Sequence, residues 1–141
     1  MSLPDTNTIL RTYLLTQDGV TDLVDERIYC PRAPEKATLP NITFFTRGGR
    51  STPYIPDLPS PSIQFGCWAD NTEVAGVATS GLIIARQIYR ALYDALQGIQ
   101  NVTVGSNIIL SAIEEVHGQD LADIDIPGRF RVLSFWEIMI K

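Results

Sequence analysis

Histidine is almost missing from this chain: His117 stands alone among 141 residues. A catalytic or metal-binding role would need partners the sequence does not supply, so His117 reads as a solvated or hydrogen-bonded surface side chain. Cysteine is scarce too, and Cys30 and Cys67 lack the C-x-x-C spacing of zinc and redox motifs. The start, Met1-Ser2-Leu3-Pro4-Asp5, has neither the basic region nor the apolar stretch of an export signal. The two thiols are therefore expected to be reduced, in a cytoplasmic chain. No apolar run is long enough to cross a bilayer, and the densest, Leu82–Ile88, is interrupted by Arg86 and Gln87. Positive charge is also in short supply. Lys and Arg number 11 against 16 Asp and Glu, a formal net charge of −5, whereas broad capture of nucleic acid needs concentrated Lys and Arg. A surface that merely lets DNA slide past would tolerate this sign.

Other signatures of chemistry fail on detail. Asp120, Asp123 and Asp125, with Glu114 and Glu115 upstream, lack the order of acids and glycine that a calcium loop with its terminal bidentate Glu requires, and read as a solvated acidic loop. Gly48-Gly49, between Arg47 and Arg50, is followed by prolines, not by the helix whose N-terminus would face a phosphate. Ser60, Ser62 and Ser80 sit in no nucleophile-elbow context. No catalytic, cofactor or metal residue is assigned, and the expectation is an assembly protein, not an enzyme.

What is present fits one globular domain over residues 1–141. Hydrophobic residues make up 45% and charged residues 19% of the chain, and its length suffices for one core. The pattern predicts an α+β fold, an antiparallel sheet with one long and one shorter helix packed on it. Asp5 or Thr6 caps a first helix with Ile9, Leu10, Tyr13 and Leu14 at helical spacing. Gly19 is placed to end it in the left-handed conformation. A short helical turn over Val20–Val24 and a brief strand over Arg27–Cys30 follow, then an ordered surface loop, Arg32–Leu39.

Strands are expected at Asn41–Arg47 and Ser62–Trp68, both apolar on two faces. Ile63, Phe65 and Cys67 share one face of the second, with Trp68 on the other. Asp70 and Glu73 have the spacing of a capping box. The sequence thus predicts a helix from there to Gly98, with a stripe of Val74, Val77/Ala78, Leu82, Ala85, Ile88/Tyr89, Leu92 and Ala95/Leu96. Asn101–Val104 and Ile108–Val116 flank Gly105-Ser106 as a hairpin. Gly118–Asp125 reads as polar loop and Pro127-Gly128 as a type II turn. Arg129–Lys141 is the strongest strand, with Phe130, Val132, Trp136, Ile138 and Ile140 on one face and Leu133, Phe135 and Met139 on the other. Such a strand is covered twice or faces a neighbouring subunit.

The segment 48–61 between the two middle strands is the candidate interaction element. Pro53, Pro56, Pro59 and Pro61 stiffen it, and Tyr54, Ile55 and Leu58 have no obvious place in a monomer's core. Arg47 and Arg50 flank its start. With Trp68 and Trp136 they complete the candidate interface set, since aromatics and arginines anchor protein contacts. For both indoles core packing is the competing reading, and for both arginines solvation is.

Several stretches resemble the tail-completion, or tail-terminator, proteins of long-tailed bacteriophages. An N-terminal helix leads to Asp25-Glu26-Arg27-Ile28-Tyr29. Leu39-Pro40-Asn41-Ile42-Thr43-Phe44 precedes Gly48-Gly49-Arg50, and Ser62-Ile63-Gln64-Phe65-Gly66-Cys67-Trp68-Ala69 is similar to a strand of that family. A helix with Ala78, Ile88, Ala91 and Leu92, and the final strand Arg129–Ile140, complete the likeness. The arm is richer in proline than the family's, so its contacts are not carried over. The resemblance implies a structural virion protein, assembled in the host cytoplasm. It would form a homo-oligomeric ring, a hexamer, that caps the tail-tube protein, ends tube growth and meets the head-neck connector or stopper protein. DNA would pass through the central opening, with no membrane and no cofactor involved. The alternatives are another neck component, such as an adaptor or stopper ring protein, and a small cytoplasmic ligand-binding domain.

Overall fold

Asp5 starts the first helix: its carboxylate accepts from the Thr8 backbone N–H at 3.3 Å and from the Thr8 hydroxyl at 2.7 Å, satisfying groups that have no partner inside the first turn. In the computed structural model, which describes residues 3–141, this helix is α1 (Thr6–Leu15) and buries Ile9, Leu10, Tyr13 and Leu14. Met1 and Ser2, part of the stretch read above for an export signal, lie outside the described residues. Gly19 does not end α1. The Thr16 hydroxyl and N–H both donate to the Tyr13 carbonyl, at 2.6 and 3.0 Å, so the chain has already turned and Gly19 lies inside α2 (Asp18–Val24). The left-handed residue is Asp25, after α2.

The brief strand is β1 (Ile28–Tyr29), and it runs parallel to β2 (Asn41–Thr52), alone among the pairings of an otherwise antiparallel sheet. β2 and β3 (Ile55–Asp70) form a hairpin much longer than the two short strands expected. The segment 48–61 is thus mostly strand. Register shifts after Thr46 and after Arg50 absorb its irregularity, and Gly49 sits at φ +123 with Ser60 and Pro61 backbone where a Cβ would go.

The long helix starts later than the capping-box spacing predicts. Thr72–Val74 and Val77–Thr79 form a small hairpin, β4 and β5, turned by Ala75 and Gly76, both at positive φ, as a tight hairpin turn requires. Asp70 does not cap; both its oxygens accept from Arg129, at 2.8 and 3.1 Å. Helix α3 (Gly81–Leu96) is capped instead by Ser80, whose hydroxyl accepts from the Leu82 N–H at 3.2 Å. Val74, Val77 and Ala78 lie in β4 and β5 and therefore leave the helical stripe. Of the remainder, Ala85, Ile88, Tyr89, Leu92, Ala95 and Leu96 are buried and Leu82 is half-buried, and Gly98 follows at φ +79.

β6 (Gln100–Val104), β7 (Asn107–Ala122) and β8 (Arg129–Ile140) finish the chain. Gly105-Ser106 is the two-residue turn, with Val104 paired to Asn107. The acidic stretch is not loop from Gly118 onward, because β7 continues to Ala122 by absorbing register shifts after Glu114 and Val116. The six strands lie in the order β1-β2-β3-β8-β7-β6, and α3 packs on the central pair, β3 and β8. The result is a single α+β domain. Its core lies on one side of the sheet, where Ile42, Phe44, Ile63, Phe65, Cys67, Val132, Trp136 and Ile138 meet α1, α2 and α3. Ile88 and Leu92 are fully buried at its centre, and truncating either to Ala costs about 2–5 kcal/mol.

The two possible starts of α3 separate experimentally. Ser80→Ala is expected to lower unfolding free energy by about 1 kcal/mol, and Glu73→Ala to change it by less than about 0.5 kcal/mol; denaturant titration reads both.

Candidate interaction surface

The alternation that sends Ile63, Phe65 and Cys67 into the core sends Gln64 and Trp68 to the opposite face of β3. Among the described residues no helix covers that face. β8 does the same, placing Arg131, Leu133, Phe135, Glu137 and Met139, all half-buried, on the outer side. Two arginines lie over its largest aromatics. The Arg47 guanidinium stands 4.1 Å from the Phe135 ring centre, and that of Arg131 lies 4.8 Å from the ring centre of Trp68, directly opposite it in register. Such stacks are worth about 0.5–1 kcal/mol at exposed sites. Gly66 makes room: a Cβ there would meet the Trp68 indole nitrogen, the Arg131 side chain and Thr43. The indole N–H of Trp68 donates to the Thr43 hydroxyl at 2.9 Å.

The pairing of β3 with β8 begins at Ser62 with Glu137. Residues from Arg47 to Pro61 therefore pair only with one another and extend past the sheet as a two-stranded arm. Its base is fixed by Arg47 Nε, 3.5 Å from the Ser62 hydroxyl, which in turn donates to Glu115 at 2.8 Å. At the tip Tyr54 is 92% and Ile55 54% exposed, while Leu58 is half-buried. Arg50 is exposed opposite Ser60. The sequence-derived set thus divides. Arg47, Arg50, Tyr54, Ile55 and Leu58 form one continuous element, and Trp68 sits on the outer face beyond its other end. Trp136 belongs to neither; it is 0% exposed, donates to the Ser134 hydroxyl at 3.0 Å, and packs edge-on to Tyr93. Core packing is its role in the single chain.

Sequence reasoning missed the second apolar projection. The β7–β8 turn carries Ile124 at 98% exposure, and Asp123 shapes that turn by accepting from the N–H groups of Asp125 and Ile126. Between this turn, the 32–39 loop and Trp68 lie two adjoining hollows, of about 400 and 230 Å³, that share Trp68 and Asp123 in their walls. An isoleucine between two aspartates in a predicted loop was the available signal.

His117 is better connected than a solvated side chain. Its Nδ1 lies 2.7 Å from a Glu114 oxygen and 2.9 Å from the Tyr89 hydroxyl. That hydroxyl donates to the other Glu114 oxygen and accepts from the Gly118 N–H at 3.1 Å. The cluster pins the bulged part of β7 onto α3. Burial, helped by the neighbouring carboxylate, pushes the Tyr89 phenol well above its ordinary range. Asp120 lies 3.5 Å from Arg86. Among the described residues no three His, Cys, Asp or Glu side chains come together to hold a metal, and no helix is long and apolar enough to cross a membrane.

No family model and no curated protein matches the chain. The fold, however, has a counterpart in a virion. A chain in the solved virion of native gene transfer agent particle is similar with a TM-score of 0.59 at 11% identity, over 94% of this chain and 90% of that one. At that identity the likeness speaks to the fold alone. It extends over nearly the whole of both chains, so the domain as a unit, and not a shared fragment, is common to them.

The Tyr89 phenol holds its proton in the folded chain and releases it more readily once unfolded. Its contribution to stability is therefore full below the ordinary phenol pKa of about 10 and falls as pH rises through and beyond it. Thermal midpoints measured from pH 8 to 11 are expected to decline, and Tyr89→Phe to flatten that decline without abolishing it, because Tyr13 and Cys67 are raised by burial in the same direction.

Proposed function

We propose that this chain is a structural virion protein of the tail-terminator kind. Copies close into a ring, a hexamer, that caps the finished tail tube, ends its growth and presents a surface to the neck, with DNA passing through the centre. The observation that carries this reading is the fold shared, nearly end to end, with a chain of a gene transfer agent virion. The sequence resemblance to tail-completion proteins points the same way. Two physical features support it. An arm that leaves the sheet and exposes Tyr54 and Ile55 gains from a partner, and the net charge of −5 does not retain passing DNA. Closure into a ring also shelters sheet edges that would otherwise pair without limit. The work of such a protein is contact, and the proposal gives it no catalytic step and no cofactor.

Native mass measurement of the full chain, alone and mixed with the cognate tail-tube protein, tests the reading. The expected result is a ring, or a monomer that becomes a ring on tube ends and halts elongation. A strict monomer indifferent to tubes removes the terminator assignment, and binding to portal or adaptor instead assigns the chain to another neck component. Deleting Gly49–Pro59 leaves Arg47, Gly48, Ser60, Pro61 and Ser62 to close the hairpin between the paired Thr46 and Ile63. That variant is expected to lose only the arm's share of strand signal in circular dichroism and to keep cooperative unfolding, but to lose assembly; wild-type assembly by it takes the arm out of the interface.

A further inference from the structure

Asn41 opens β2 and is 2% exposed. Its Nδ2 donates to the Thr38 carbonyl at 3.1 Å, while its Oδ1 is buried with no hydrogen-bond partner among the described residues. An orphaned buried acceptor is destabilising, because it has given up water for nothing. Asn41 lines the 400 Å³ hollow on the outer face, opposite Trp68 in register, while its Oδ1 is itself closed off from solvent. The hollow is lined also by the charged Arg32, Glu35, Lys36, Asp123 and Arg129, and the bare Ile124 lies in the adjoining wall. The orphaned acceptor lacks a donor, and the groove around it offers an aromatic face, an apolar neighbour and charges of both signs.

The same chain carries such a donor. The arm tip presents Tyr54, an aromatic ring with a hydroxyl, next to Ile55, and Arg50 and Asp57 flank it. The tip cannot reach its own groove. Asn41 and Thr52 are the two ends of β2, which at ~3.3 Å per residue sets them roughly 35 Å apart. We propose that the arm tip of one copy seats in the outer-face groove of a second copy, Tyr54 beside Trp68 with its hydroxyl donating to Asn41 Oδ1. Ile55 then meets Ile124, Arg50 lies toward Asp123, and Asp57 toward Arg32 and Lys36. The 32–39 loop, which has no regular secondary structure, parts to admit the hydroxyl. Tip and groove are different surfaces at opposite ends of one hairpin, so the contact is head-to-tail and propagates until it closes. This contact rests on the ring reading and names the surfaces that would build the ring.

Replacing Tyr54 by the photo-cross-linker p-benzoylphenylalanine tests it at an exposed position the fold does not depend on. The full chain is irradiated in whichever assembled state the mass measurement finds, alone or on tube ends, and adducts are mapped by mass spectrometry. Adducts between copies at residues 32–43, Trp68 or Ile124 are expected. An assembled ring with adducts elsewhere, or with none to a sister copy, overturns the docking and leaves the ring standing; absence of any assembly overturns both. Tyr54→Phe, which removes only the donor, is expected to weaken association about tenfold, and to do nothing further in an Asn41→Ala background. Unchanged association of Tyr54→Phe overturns the hydrogen bond to Asn41.

Discussion

The pairing of β3 with β8 is the constraint on which the rest of the molecule depends. Ile63 lies opposite Trp136 and Cys67 opposite Val132, so both central strands turn the same set of residues toward α3. Because strand side chains alternate, that one register also decides what faces away. Sliding β8 by a single residue would carry Trp136 and Ile138 to solvent and bring Arg131 and Glu137 beneath the helix. The buried indole and the arginine-covered outer face are therefore two consequences of a single fact.

The arm is a third consequence. β3 outlasts its partner: β8 ends its pairing at Glu137 opposite Ser62, whereas β2 and β3 continue together to Thr52 and Ile55. Beyond that point the hairpin has no sheet to lie in. A lone two-stranded ribbon is marginal in water, and this one is held at its base by Arg47, Ser62 and Glu115. Pro56, Pro59 and Pro61 lack the N–H groups that would invite another strand. Stiffness with restricted strand pairing suits an element meant for one contact and not for indiscriminate aggregation.

Much of this was legible in the residues. The binary pattern of Ser62–Trp68 and of Arg129–Lys141 placed Ile63, Phe65, Cys67, Val132, Trp136, Ile138 and Ile140 in the core but missed the buried Ser134 and Ala69, and the 3.6-residue stripe from Leu82 to Leu96 placed the core face of α3. At two places a local signal loses to a competing partner, distant in one case and near in the other. Asp70 and Glu73 have the spacing of a capping box, but the Asp70 carboxylate is claimed by Arg129, 59 residues away, a partner no local window contains. Gly19 is a good helix terminator, yet Thr16 reaches the Tyr13 carbonyl first. Prolines are poor in sheets, so the strand character of 48–61 is not legible in its residues; a ribbon outside the sheet is where that rule relaxes.

By itself the sequence determined the fold class, the core-facing residues and the existence of an unusual exposed segment, because hydrophobic period and turn chemistry are written locally. Only the tertiary structure decided which tryptophan is core and which is surface. Trp68 and Trp136 look alike in a strand pattern apolar on both faces, and it is the placement of three helices on one side of the sheet that separates them. The groove beside Trp68 likewise exists only in three dimensions. Its walls come from the 32–39 loop, β2, β3 and the β7–β8 turn, segments that no periodicity brings together and that strand order alone makes neighbours.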